Sequence, residues 1–250
     1  MRITICENKK ELGMMAAIRG AVAIKDAIRE NGSANIAFVT GNSQIQLLES
    51  LRSQKGIEWD KVSIFLLDEY LGIEDGCPAS SETFIKKHFL DYIPEPASFY
   101  PISRDEGKAE ETVRNLNGII SRHPLDAVFA CVGENGHLAF NDPPADFDTT
   151  DPYIVIELAK RSKRQQVNEG WFKTVDDVPS KVISMSIHML LSAKHIIVSC
   201  PDQRKAKAVA MTLYDDITPI SPCASLRRSA DCDLYLDRQS SCLILGDRRS

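Results

Sequence analysis

The chain has 250 residues, with 30 Lys and Arg against 35 Asp and Glu and a formal net charge of −5. That length suits one large α/β domain able to bury its core without staples. The acidic balance argues against a nucleic-acid partner, which needs a basic surface, but leaves room for a small phosphorylated substrate held by a few local cations. The seven cysteines (Cys6, Cys77, Cys131, Cys200, Cys223, Cys232 and Cys242) are odd in number and widely spaced, without a CxxC pair. They read as free thiols of a reducing compartment. The start of the chain, Met1 to Asn8, lacks the apolar core of a secretion signal. No stretch reaches the roughly 20 apolar residues of a membrane span. A cytoplasmic protein with no membrane partner is expected.

In chain order, Ile3 to Cys6 predicts a first strand and Lys9 to Glu30 a helix that Asn31-Gly32 ends. Ile36 to Val39 predicts a strand, Thr40 to Ser43 a tight turn, and Gln44 to Gln54 a helix. Val62 to Leu67 is an almost unbroken apolar run, as in a strand covered on both faces. Glu82 to Tyr92 and Asp105 to Ser121 have helical spacing. Ala127 to Val132 and Ile196 to Cys200 predict further buried strands, Gln203 to Tyr214 a helix, and Leu234 to Leu236 and Cys242 to Leu245 late strands. Alternating strands and helices imply a mainly parallel sheet with helices on both faces. There is no internal repeat, and no linker is long enough to separate a pair of domains. The segment from 142 to 180 is the least regular. It carries prolines, a basic cluster and an exposed-looking Trp171-Phe172, and reads as a lid over about 143–180 of a single domain, 1–250.

Ligands of an open parallel sheet sit beyond the carboxyl ends of its strands, and three such ends carry polar chemistry here. Thr40-Gly41-Asn42-Ser43 offers backbone N–H groups, hydroxyls and a helix start, a ready anion site; the plainer reading is a turn in which Ser43 caps the helix. Asp68-Glu69-Tyr70 puts carboxylates next to low-dielectric surroundings, which raise a carboxyl pKa into the range of a usable base. A helix cap or strand-end salt bridge is the alternative, and two adjacent acids suggest divided labour. His137 lies between Gly133-Glu134-Asn135-Gly136 and Asp142, so an imidazole held at the mouth of the sheet has a carboxylate near enough to orient it. His88, His123 and His195 read as surface or helix-end residues, and His188 as part of an amphipathic packing stretch. Lys160-Arg161-Ser162-Lys163-Arg164 reads as a solvated helix face or as a phosphate clamp on the lid. Arg204-Lys205-Ala206-Lys207 begins a helix at another strand's carboxyl end, where one lysine can point at an anion. No His/Cys/Asp grouping has metal-ligand spacing, so no metal is expected.

Val39 to Ser43, Leu67-Asp68-Glu69-Tyr70-Leu71-Gly72 and Gly133 to Pro143, in this order and rough spacing, resemble the glucosamine-6-phosphate deaminase/isomerase family. The 6-phosphogluconolactonases are related through the Gly-x-x-Gly-His core, but Ala139-Phe140-Asn141-Asp142-Pro143 is deaminase-like. The resemblance implies a Rossmann-like α/β fold of the ribose-5-phosphate isomerase/CoA transferase type. It implies conversion of glucosamine 6-phosphate to fructose 6-phosphate and ammonia without a cofactor. Asp68 would move the proton between C2 and C1, and His137 would handle the ring-oxygen proton. Asp142 would polarise His137, and Asn135 would stand where many members have an aspartate. Thr40, Gly41, Asn42, Ser43, Glu69, Gly136 and Lys205 would bind the sugar phosphate.

The sequence also departs from the family pattern. Asp142 is one methylene shorter than the usual glutamate. The residue before Trp171-Phe172 is Gly170, where many members carry a phosphate-binding arginine. Lys160, Arg161, Lys163 or Arg164 would then substitute. A lactonase-like hydrolase, an enzyme for another hexose phosphate and a non-catalytic sugar-phosphate sensor are the alternatives. Self-association is left open.

Overall fold

The computed structural model describes residues 1–245. The chain runs β1 (Arg2–Cys6), α1 (Lys9–Asn31), β2 (Ala34–Phe38), α2 (Ile45–Arg52), β3 (Val62–Leu66), β4 (Asp68–Tyr70), α3 (Ser81–His88), β5 (Ser98–Tyr100) and α4 (Ala109–Ile120). It continues through β6 (Ala127–Ala130), β7 (Tyr153–Glu157), α5 (Lys160–Asn168), β8 (Lys181–Met185), α6 (Ile187–Leu191), β9 (His195–Cys200), α7 (Ala206–Tyr214), β10 (Cys232–Asp237) and α8 (Cys242–Leu245).

Seven strands form one parallel sheet in the order β1-β10-β9-β6-β2-β3-β5. Its central strand β6 is buried at all four positions, because crossover helices cover both faces of a parallel sheet. Helix α1 has an Asn8 side chain that accepts from the N–H groups of Lys10 and Glu11, and it stops at Gly32 with φ 78°. The stop at Gly32 is the one expected of the sequence, and the Asn8 cap adds a start signal to it.

The parallel sheet and its helices agree with the sequence reading. Other features differ from it. Cys242–Leu245 is a short helix, not a strand. Asp68-Glu69-Tyr70 is itself a strand, in a second, antiparallel sheet of order β4-β8-β7. The irregular 142–180 stretch contains β7 and α5. Trp171 and Phe172 are half-buried; they pack edge-on against Phe84 and Tyr70, with ring centroids 5.9 and 5.5 Å apart. The second sheet hangs from the first. Met185 N–H donates to Leu67 O at 2.6 Å, and the Tyr153 hydroxyl donates to Leu66 O at 2.7 Å.

Among the described residues, no helix is long and apolar enough to cross a membrane. No group of three or more His, Cys, Asp or Glu among them is arranged to hold a metal ion.

Candidate active site

A cleft opens at the carboxyl ends of β2, β3, β6 and β9. Its walls include Thr40, Gly41, Ser43, Asp68, Cys131, Gly133, His137, Gln165, Glu169, Trp171 and Lys205. The carboxylate and imidazole singled out from distant parts of the sequence therefore face the same space.

Asp68 is buried at the start of β4. It accepts a hydrogen bond from Ser81 Oγ at 3.2 Å, and Ser81 Oγ lies 2.9 Å from Thr40 Oγ1. This chain of hydroxyls links the carboxylate to the Thr40–Ser43 loop. Burial, then the neighbouring charge of Glu69, push Asp68 up to about 7, against a smaller opposing effect of the Ser81 hydroxyl. A buried carboxylate without a bonded cation holds its proton more tightly than in water.

Glu69 is turned away and does not line the cleft, contrary to its assignment to the substrate-binding set. Its carboxylate accepts from Ser80 Oγ at 2.7 Å and from the backbone N–H groups of Tyr70, Ser81 and Glu82. It satisfies donors at the start of α3, where the helix dipole favours an anion. The two adjacent acids divide labour as alternation along a strand requires.

His137 is held from three sides. Its Nδ1 lies 3.3 Å from Asp142 Oδ1 and 3.5 Å from Ser162 Oγ, and its backbone N–H donates to Asn135 Oδ1 at 3.2 Å. Asn135 Nδ2 donates to Asp142 Oδ1 at 2.8 Å, and Ser162 Oγ donates to the same oxygen. The shorter aspartate thus reaches the ring. Burial opposes ionisation of Asp142, but hydrogen bonds and charge from His137, then Ser162 and Asn135, outweigh it and hold the carboxyl below its usual range. Asp142 and Asn135 stand behind the ring rather than in the cleft wall, which leaves Nε2 for exchange with a ligand.

The glycines explain the ring's position. A Cβ on Gly133 would come within 2.2 Å of His137 Cε1 and Nε2, so only glycine lets the imidazole lie against that backbone. Gly136 has φ 87°, a left-handed turn that favours glycine. It faces Met211 and Cys223 and does not line the cleft, contrary to its assignment to the substrate-binding set. Asn141, from the same motif, fastens the loop to the second sheet through Nδ2 bonds to Leu138 O and Met185 O, both 2.8 Å.

The Thr40–Ser43 loop is divided between the cleft and the surface. Thr40, Gly41 and Ser43 line the cleft, whereas Asn42 donates outward to Glu169 O at 3.4 Å and is exposed. Ser43 does not cap α2. Its hydroxyl instead donates to Cys131 Sγ at 3.4 Å.

Lys205 is buried against the cleft in the turn before α7. Burial alone would favour the neutral amine. The charges of Cys131 and Glu169, with smaller effects of Cys200 and Glu134, outweigh it and keep Lys205 above the usual lysine range. The basic run of α5 does not supply a clamp. Lys160, Arg161 and Arg164 face away from the cleft, and Lys163 donates to Val178 O at 3.1 Å. None of them lines the cleft.

Ser162, Gln165 and Glu169 face the site from the other side of that helical segment, and the sequence reading passed over them. Their positions i, i+3 and i+7 were the available signal: such spacing puts them on one helical face and the cations on the other. Cys131, read from the sequence only as a free thiol, also lines the cleft.

Residues 7–234 match the family described as glucosamine-6-phosphate isomerases/6-phosphogluconolactonase. The chain belongs to this family. It is 27% identical over 244 residues to a glucosamine-6-phosphate deaminase of Lactobacillus delbrueckii subsp. bulgaricus, covering 98% of this chain and 100% of the relative. It is 28% identical over 245 residues to a Streptococcus pneumoniae glucosamine-6-phosphate deaminase, covering 98% and 99%. In structure it is similar to a monomeric glucosamine-6-phosphate deaminase of the NagB superfamily, with TM-score 0.88, 24% identity and coverage of 97% and 100%. It is also similar to the 6-phosphogluconolactonase of Trypanosoma brucei, with TM-score 0.79, 14% identity and coverage of 97% and 98%. Both likenesses carry the α/β fold.

Proposed function

We propose that this member of the family isomerises and deaminates an amino sugar phosphate, taking glucosamine 6-phosphate to fructose 6-phosphate and ammonia. The observation that carries the reading is the meeting of Asp68, raised to about 7, with the Asp142-oriented His137 in one cleft. A base poised near neutral pH suits removal of a proton α to a carbonyl.

In this mechanism the sugar phosphate is held by the Thr40–Ser43 loop and Lys205. His137 Nε2 delivers a proton to the ring oxygen as the ring opens to the aldehyde. Asp68 takes the C2 proton and returns it to C1, and the 2-amino group becomes an imine. Water adds to that imine, ammonia leaves and the ketone remains. Asp142, Ser162 and Asn135 keep the imidazole in one orientation, and Asp142 offsets positive charge on it. No redox change occurs, because the hydrogen removed at C2 is restored at C1. The 143–180 segment acts as a lid, with Trp171 and Glu169 over the bound sugar.

The deaminase relatives support this substrate, and the lactonase neighbours supply the competing reaction. Incubation with glucosamine 6-phosphate, assaying fructose 6-phosphate and ammonia together, tests the reading. Both products are expected in equal amounts. Absence of both, with acid release from 6-phosphogluconolactone instead, would favour His137 as an activator of water.

A further inference from the structure

We infer that Cys131 is a covalent modification site beside the anion loop: a hydroperoxide oxidises it, Cys200 closes the product to a disulfide, and a bound sugar phosphate excludes the reaction. The exclusion rests on the anion-site reading above and deepens it; the thiol chemistry stands on the pair itself.

Among the described residues, Cys131 is the only cysteine lining the cleft, and the proposed mechanism gives it no task. It follows β6 at the carboxyl end of the sheet, and the Ser43 hydroxyl of the anion loop donates to its sulfur at 3.4 Å. Its partner lies on the neighbouring strand. β6 and β9 run parallel with Ala130 opposite Val198. Two residues further along each chain, Val132 N–H donates to Cys200 Sγ at 3.4 Å, and Cys131 Sγ donates to Val132 O at 3.5 Å, so the two sulfurs flank one residue. Both thiols are free. Cys200 is fully buried, whereas Cys131 is reached from the cleft. The Cys200 thiol, then the charge of Lys205 and the Ser43 hydroxyl, outweigh burial and the charge of Glu169 and hold Cys131 below the usual thiol range. The thiolate is the reactive form of cysteine. Burial holds Cys6, Cys223 and Cys232 above that range.

The Cys131 sulfur attacks one peroxide oxygen and the O–O bond breaks. The departing hydroxide takes the thiol proton as water, and Cys131 becomes a sulfenic acid. The Cys200 sulfur then attacks the Cys131 sulfur, the S–O bond breaks and a second water leaves. Two thiols lose two electrons to one disulfide, and one peroxide is reduced to two waters. The new bond draws the tips of β6 and β9 together. Gly133, against which the His137 ring lies, follows one tip, and Lys205 follows the other. The same bond takes the Cys131 sulfur from the Ser43 hydroxyl. In the other direction, an anion held by the Thr40–Ser43 loop fills the space through which a peroxide reaches Cys131.

The test exposes the reduced, intact protein to hydrogen peroxide and maps its cysteines by peptide mass spectrometry, with and without glucose 6-phosphate, which has no amine to lose. The expected product is a Cys131–Cys200 disulfide that dithiothreitol reverses. Glucose 6-phosphate at about ten times its Kd is expected to slow its formation by about tenfold. By calorimetric titration the oxidised protein is expected to lose glucose 6-phosphate binding and to regain it on reduction, and Cys131→Ser to show the same affinity before and after peroxide. Cys200→Ser is expected to stop Cys131 at the sulfenic acid, which dimedone traps. Peroxide that oxidises other cysteines and leaves Cys131 a thiol, or wild-type Cys131 that oxidises without joining Cys200, overturns the modification site. A disulfide that forms equally fast with sugar phosphate bound, or oxidised protein that binds it undiminished, overturns the exclusion. Reduced wild type that binds no glucose 6-phosphate overturns the anion-site reading and the exclusion with it, while the disulfide is read independently. Ammonia release from glucosamine 6-phosphate is a separate readout, so failure of the deaminase reading is distinguishable.

Discussion

Among the described residues, two histidine–aspartate pairs stand at opposite ends of the same sheet, and only one looks into a cleft. At the amino ends of β1, β9 and β10, His195 Nδ1 bonds Asp231. Arg19 pairs with both Asp231 and Asp233, at 2.8 and 2.9 Å, and Arg2 pairs with the same two acids. Burial works against ionisation of Asp231 and Asp233, but their His195, Arg2 and Arg19 partners outweigh it and lower both. At the carboxyl ends Asp68 is raised by burial, and Lys205 and Glu169 both line the cleft without a bond between them. Matched charges make a clasp, whereas groups left unmatched beside a cleft are available to a ligand.

Breaking the cleft end should cost activity in graded steps. Asp68→Asn removes the proposed base. Turnover is expected to fall by about 10³-fold with substrate binding largely kept, as steady-state kinetics and calorimetry would report; wild-type turnover would remove Asp68 from the mechanism. Gly133→Ala drives a methyl into the His137 ring, and a loss of about 10²-fold in kcat is expected from misplacement alone. Asp142→Asn leaves Ser162 and Asn135 to hold the imidazole, so a smaller loss of about tenfold is expected.

The pH profile sharpens the same contrast. With Asp68 raised to about 7, kcat/KM is expected to fall on the acid side of that value as the base is protonated. Because this carboxyl is raised on folding, its contribution to stability is present at acid pH and lost as pH rises through about 7. Asp231 and Asp233 have the opposite sign: their contribution is present above the ordinary carboxylate range and lost as pH falls through their lowered values. The smallest effect belongs to the clasp. His195→Ala is expected to lower stability by about 1 kcal/mol in denaturant melts and to leave turnover within about twofold. A large loss of turnover would show that the two ends are coupled.

How much of this was legible depended on the kind of signal. The apolar runs from Val62 to Leu67 and from Ala127 to Val132 announced buried parallel strands because both faces of such strands are covered. The motif from Gly133 to Asp142 announced a constrained imidazole, since Gly133 has to be small where a ring lies against it. The second sheet was not legible. Its strands are three and five residues long, and Asp68-Glu69-Tyr70 has acids where a strand usually alternates. The basic run at 160–164 was misleading as a clamp, because its conspicuous cations lie outside the cleft while Ser162 reaches His137.

Local sequence thus determined the helices, the buried strands and the chemical types at each loop tip, because periodicity, caps and glycine requirements act over a few residues. Only the tertiary structure decided which groups share a space. It paired Asp142 with His137, turned Glu69 to α3 and Asp68 to the cleft, and set Glu169 on the same wall as Lys205. Those outcomes depend on strand register and on how a second sheet hangs from the first, and both are fixed by contacts between residues far apart in the chain.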